Sequence, residues 1–210
     1  LYALAIGAWL RRDRHVAWAL ATGALTAALV ALSFGNMALY LVCGALVLLG
    51  VRGAPLRPRR EVACALLLLL PLAGLAAWAE SLGARPLALY AEGIHQHHLI
   101  LAHRTHRLWL FLNPLETAIA LGLPSVLWLA LHVDARALWR GVRGATLAGG
   151  ERLLVAALFA LLVLDLSGQT RGESGRLWMG FFPLVLAGAA PALAAREDHG
   201  RRLALLLAAT

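Results

Sequence analysis

Of the 210 residues, 61% are hydrophobic and only 14% charged, and the mean hydropathy is +0.75. That balance excludes an ordinary soluble domain, in which about 25% of residues are charged. The formal net charge of +8 and isoelectric point near 11.1 would suit a nucleic-acid binder. The cations, however, are arginines set in short gaps between apolar runs, so a membrane is the expected partner and nucleic acid is not. The expected fold class is therefore all-α, a polytopic transmembrane helix bundle in which residues 1–210 form a single transmembrane helical domain. Every basic residue is Arg, with no Lys; a GC-rich genome accounts for that bias, and no function follows from it.

In chain order, the apolar runs predict spans at 1–10, 16–33, 37–51, 62–79, 113–133, 153–166, 177–195 and 203–210. A full crossing takes about 20 residues, so the first and last runs read as partial spans, and the sequence as a piece of a longer protein. Cys43 and Cys64 both fall inside apolar runs, which points to neither a disulfide nor a cysteine metal site. No internal repeat is visible.

The connections alternate in charge. The gaps "RRDRH", "RGAPLRPRRE", "DARALWRGVRGATLAGGER" and "REDHGRR" hold fourteen of the nineteen arginines and are assigned to the cytoplasm. "SFGN", residues 80–112 and residues 167–176 then face outward, as expected of a bacterial inner-membrane protein. Trp78, Trp109 and Trp178 fall at the outer boundary and Trp18 and Trp139 near the inner one, the depths that indole rings favour.

Chemistry belongs on the outer side under this topology, because the polar residues collect there. In "DLSGQTRGESGRLW", Thr170 and Glu173 have the spacing of a capping box that starts the next helix. Arg171 and Arg176 beside that helix start would add donors suited to phosphate. Asp165 lies at the edge of the hydrocarbon, where a carboxylate needs a partner or water. In the other cluster, Asn113, Pro114 and Glu116 again have the form of a helix start, so the span is expected to begin near residue 113. Residues 80–112 then form a separate outer, interfacial segment. If 92–107 is one helix, Glu92, His95, His98, His103 and His106 share an arc of about 140°, a spacing compatible with zinc or iron. Leu99 and Leu110 share the face, and amphipathic filling accounts for it equally. His97, Arg104 and Arg107 point away from that arc, toward phosphates or headgroups.

"HRTHRLWLFLNPLETAIALGLPSV" followed downstream by "DLSGQTRGESGRLWMGFFPLVL" resembles the later half of polytopic bacterial membrane proteins of the GT-C glycosyltransferase type, over roughly residues 95–190. The elements that carry the resemblance are an Arg-to-Trp run into an Asn-Pro helix start, then Asp165, Arg171-Gly172-Glu173, Arg176, Trp178 and Pro183. The Arg104-to-Trp109 spacing is one residue longer than some versions of the motif, which weakens that half of the match. The resemblance implies sugar transfer from a polyprenyl-phosphate carrier to an acceptor on the extracytoplasmic face. It implies Arg171, Arg176, Arg104 and Arg107 as carrier-phosphate ligands, with Asp165, Glu173, Asn113 and Glu116 as supporting polar groups, and it leaves room for a divalent cation. It places the catalytic base in an earlier outward loop, so no residue here is assigned to catalysis. Two other classes remain open: a His-rich membrane metalloenzyme, and a transporter or non-catalytic scaffold with helices interrupted near Pro71 and Pro124.

Overall fold

The computed structural model describes residues 5–6, 16–53, 58–144, 146–172 and 174–194. All regular structure among them is helical: α1 (Val16–Leu32), α2 (Leu39–Gly53), α3 (Pro58–Ser81), α4 (Pro86–Leu101), α5 (His106–Leu121), α6 (Leu123–His132), α7 (Ala135–Gly144), α8 (Gly149–Ser167), α9 (Ser174–Leu177) and α10 (Phe182–Ala194). Short 3₁₀ turns, Phe34–Ala38 and Met179–Phe181, lead into α2 and α10. Of the two expected terminal spans, 203–210 lies outside the described residues, and only Ala5 and Ile6, helical and buried, are described from 1–10.

The helices pack as a row. α1 lies against α3, α3 touches α2, α2 packs on α8, and α8 packs on α10. Glycine sets two of these contacts. A Cβ at Gly23 of α1 would fall 2.5 Å from the Leu68 carbonyl oxygen of α3. One at Gly188 of α10 would fall 2.6 Å from the Leu154 amide nitrogen of α8. Backbones this close admit no larger residue, the packing that small residues permit where dispersion rather than water drives association. The shared core joins Val42, Cys43 and Leu46 of α2, Cys64 and Leu68 of α3, and Ala156, Ala157 and Ala160 of α8. Both cysteines are thus core residues.

The outside of the row is as apolar as its inside. α3 contains a stretch, Arg59–Ser81, that is long and apolar enough to cross a membrane, with a mean hydropathy of 2.3 and only 11% of the window buried. Leu66, Leu69, Leu70 and Trp78 on this helix are each more than half exposed. A soluble monomer rarely displays a continuous apolar face of this kind. Two further stretches meet the same test only as bent pairs, α5 with α6 at 104° and α7 with α8 at 100°.

Several expected boundaries move. The span drawn as 113–133 is two helices that meet at Gly122, whose φ of 90° no ordinary side chain adopts easily. It also starts earlier, at His106, because the apolar run His106–Leu112 is helical in its own right. Asn113 is consequently not a cap: it lies buried mid-helix, and Pro114 follows it inside α5. The single helix expected over 92–107 ends at Leu101 and resumes at His106. Trp178, assigned to the outer belt, is 2% exposed and belongs to the core.

Candidate functional site

At one end of the bundle, the loop that follows α8 inserts between α4 and α5. α8 terminates in Gly168, left-handed at φ 66°, whose amide donates to the Asp165 carbonyl. A Cβ here would meet the His106 ring, and one at Gly172 (φ 84°) would meet Arg104 and Trp109. Both glycines therefore satisfy two demands at once, backbone conformation and close approach.

Two arginines fasten the loop. Arg171 Nε donates to the Gly168 carbonyl at 3.0 Å, and its NH1 donates to the carbonyls of Arg104 at 2.9 Å and Leu101 at 3.3 Å. The Leu101 oxygen closes α4 and the Arg104 oxygen lies in the gap before α5, so this guanidinium supplies donors where the helix does not continue. Arg104 returns the contact by donating to the Arg171 carbonyl, and its guanidinium stands 5.7 Å from the centroid of the Trp109 ring. Histidines close the other side: His97 Nε2 meets the Gln169 carbonyl, and Gln169 Nε2 lies 2.7 Å from His98 Nε2.

Beneath the loop is a buried polar network. Asn113 Nδ2 donates to Asp165 Oδ1 at 2.9 Å, and Asn113 Oδ1 accepts from the Gly172 amide at 3.3 Å. Glu116 Oε2 accepts from the Ser174 amide at 3.2 Å and its hydroxyl at 2.8 Å; the hydroxyl also lies 3.1 Å from the Asn113 carbonyl. Asn113, Asp165 and Ser174 are all buried. Asp165 thus has the partner that its depth demands, supplied by a neutral amide on α5 rather than by an arginine of its own loop.

The structure therefore brings Arg104, Arg171, Asn113, Glu116 and Asp165 together across more than fifty residues of chain, but in other roles than those expected. Arg171 and Arg104 donate to backbone carbonyls, and Asn113 and Glu116 bind the loop's amides instead of starting a helix. The capping box is not formed. α9 begins at Ser174, Thr170 Oγ1 is buried without a hydrogen-bond partner, and Glu173 lies outside the described residues. The side chain of Arg176 is likewise outside them, and Arg107 is exposed. The histidine arc is broken by the gap between α4 and α5: Glu92, His95 and His98 ride on α4, His103 sits in the gap and His106 opens α5. Glu92 accepts from Gln96 at 2.7 Å. Among the described residues, no group of three or more His, Cys, Asp or Glu is arranged to hold a metal ion.

Beside this knot lies a cavity of about 560 Å³. It is lined by apolar residues, among them Met37, Leu41, Ile94 and Leu164, and by polar ones, among them Ser33, Tyr90, His97, Ser167, Gln169 and Thr170. Thr170, 7% exposed and with a buried hydroxyl that has no hydrogen-bond partner, belongs to this lining. Among the described residues of the lining none is a carboxylate. The "SFGN" turn, α4 and the loop after α8 all contribute, so the three connections that arginine placement sets opposite the cytoplasmic gaps converge on one space. Sequence reasoning named His97 but missed Met37, Leu41 and Ile94, because apolar residues there look the same as packing residues. Comparisons with protein-family models, with curated proteins and with solved structures find no match to this chain.

Proposed function

We propose that this chain is a multi-pass membrane protein resembling the GT-C glycosyltransferases, seated in a bacterial inner membrane. Its extracytoplasmic end holds the head of a polyprenyl-phosphate-linked sugar. The observation that carries the reading is the cavity, to which all three outward connections contribute and whose lining includes both apolar and polar side chains. An amphiphile suits such a space, with a chain against Leu41, Ile94 and Leu164 and hydroxyl-rich groups against Ser167 and Gln169. The exposed apolar surface of α3 supports membrane insertion.

The cavity is assigned to holding the carrier; activating an acceptor hydroxyl needs a base within hydrogen-bond reach, which the resemblance places in an earlier outward loop. Arg171 follows the cavity-lining Thr170 in the chain, and a carrier phosphate is its proposed partner.

The test is photolabelling of the membrane-embedded chain with a diazirine polyprenyl-phosphate sugar. Label is expected on peptides containing Ile94, Leu164 and Thr170, and unlabelled carrier should compete it away. Leu164→Trp, which fills the cavity, should cut labelling tenfold or more with the chain still inserted. Label spread along the lipid-facing side of α3, indifferent to competitor and to the Trp variant, rejects the reading. A second reading, transporter or scaffold, is favoured by the 104° break between α5 and α6, since broken helices line many transport sites. It ranks lower because no residue of that break lines the cavity.

A further inference from the structure

The opposite end of the bundle carries a feature that the carrier reading leaves unused. α7, Ala135–Gly144, stands at 100° to α8. At about 100° per residue, Arg136, Arg140 and Arg143 fall within an arc of roughly 60°, while Leu138, Gly141 and Val142 occupy the opposite side. That opposite side meets the protein. Leu138 packs on the core, and Gly141 is buried against Leu147, whose side chain a Cβ at Gly141 would strike at 2.5 Å. The arginine arc consequently faces away from the bundle.

The carboxylates of this stretch offset the arc only in part, Asp134 lying near Arg136 and Arg140. Asp134 Oδ1 accepts from the amides of Arg136 at 2.9 Å and Ala137 at 3.0 Å, capping α7. Glu151 Oε2 accepts from the Ala148 amide at 2.8 Å at the start of α8. Each acid serves a helix start, which leaves three guanidinium groups against one carboxylate at the edge of the arc. Trp139 flanks the arc, 57% exposed, with the Arg143 guanidinium 4.8 Å from its ring centroid.

We propose that α7 lies in the inner membrane interface and binds the phosphates of anionic phospholipids through Arg136, Arg140 and Arg143, with Trp139 set among the headgroups. A short helix running across a span, with clustered arginines and an adjacent indole, has the chemistry of an interfacial anchor, and guanidinium matches phosphate bidentately. The proposal rests on membrane insertion but not on the carrier cavity, which lies at the other end of α8.

The experiment places the full chain in phosphatidylcholine nanodiscs doped with equal fractions of brominated phosphatidylglycerol or brominated phosphatidylcholine. The signal of Trp139 is taken as the difference from Trp139→Phe. Quenching by brominated phosphatidylglycerol is expected to exceed that by brominated phosphatidylcholine severalfold. The excess should vanish in Arg136→Gln/Arg140→Gln/Arg143→Gln and in 0.5 M salt, and persist in the triple Lys variant, which preserves charge and controls for folding. Equal quenching by the two lipids overturns the proposal, as does an excess that survives the Gln substitutions or is lost equally in the Lys variant. Quenching by neither lipid also overturns it, and directs the arc toward an acidic partner in the aqueous phase. A chain that enters no nanodisc overturns membrane insertion itself, a failure separate from these.

Discussion

Arg171 serves three carbonyl oxygens from one planar fork, those of Gly168, Arg104 and Leu101. Lysine has a single nitrogen and cannot reproduce that geometry. Arg171→Ala should therefore destabilise the protein by about 2–4 kcal/mol, counting a few charge-assisted hydrogen bonds lost from partly buried acceptors. Arg171→Lys should recover less than half of that, read as thermal unfolding in detergent. A purely phosphate-binding arginine would leave the unfolding temperature unchanged in both variants. Asn113 shows a similar double service, since its amide nitrogen and oxygen are engaged by Asp165 and Gly172 respectively. Neither Asp nor Leu supplies both a donor and an acceptor, so the residue type is set by the network and not by helix propensity.

At the level of elements, α7 depends on its cap. The amide of Ala137, assisted by that of Arg136 and by the charges of Arg140 and Arg136, holds the exposed Asp134 carboxyl below its ordinary value of 3.8. A depressed value in the folded state means that the stabilisation is present above pH 3.8 and fades as pH falls through the lower folded value. Trp139 emission should accordingly report α7 loosening only on the acid side of that point. Asp134→Ala should show the loosened signal already at neutral pH, with no acid transition of its own. If the native chain and the Ala variant give superimposable curves, the cap has no part in holding α7.

The sequence made the apolar elements legible and their breaks illegible. α1, α3 and α8 follow from unbroken hydrophobic runs, and the expected boundaries of α1 lie within a residue of those observed. The break before α5 was hidden because His103, Arg104 and Thr105 do not differ in helix preference from their neighbours; the Arg104 carbonyl is instead engaged by Arg171, far along the chain, while that of Thr105 starts α5. Asn113-Pro114 resembles a helix start because the same residue types serve caps and buried networks alike, and only the position of Asp165 on α8 distinguishes them. The site was thus readable as a list of residues but not as a set of contacts.

For the whole molecule, up-and-down packing of α1, α2, α3, α8 and α10 puts the ends of the helices on two sides. On the proposed arrangement Ser33, Leu82 and Ser167, all exposed, share the extracytoplasmic side. Arg59 and Gly149, also exposed, share the other. Single cysteines at the first three positions should react with a membrane-impermeant maleimide in intact cells, and those at the last two only after lysis. The native Cys43 and Cys64 give little background, because both are buried. Mixed reactivity within either set would break the arrangement that links the cavity to the outside.

The clasp between the α8 loop and the α4–α5 gap also has a bearing on biosynthesis. The Leu101 and Arg104 carbonyls receive a donor that is translated 70 and 67 residues later. As the polypeptide leaves the ribosome, the Arg104 carbonyl lacks this donor until Arg171 arrives, while the Leu101 carbonyl already accepts from the Arg104 amide within the gap. The cavity's walls are thus completed late, after α8 has been laid beside α2, and any ligand seated there meets a finished receptor rather than a nascent one.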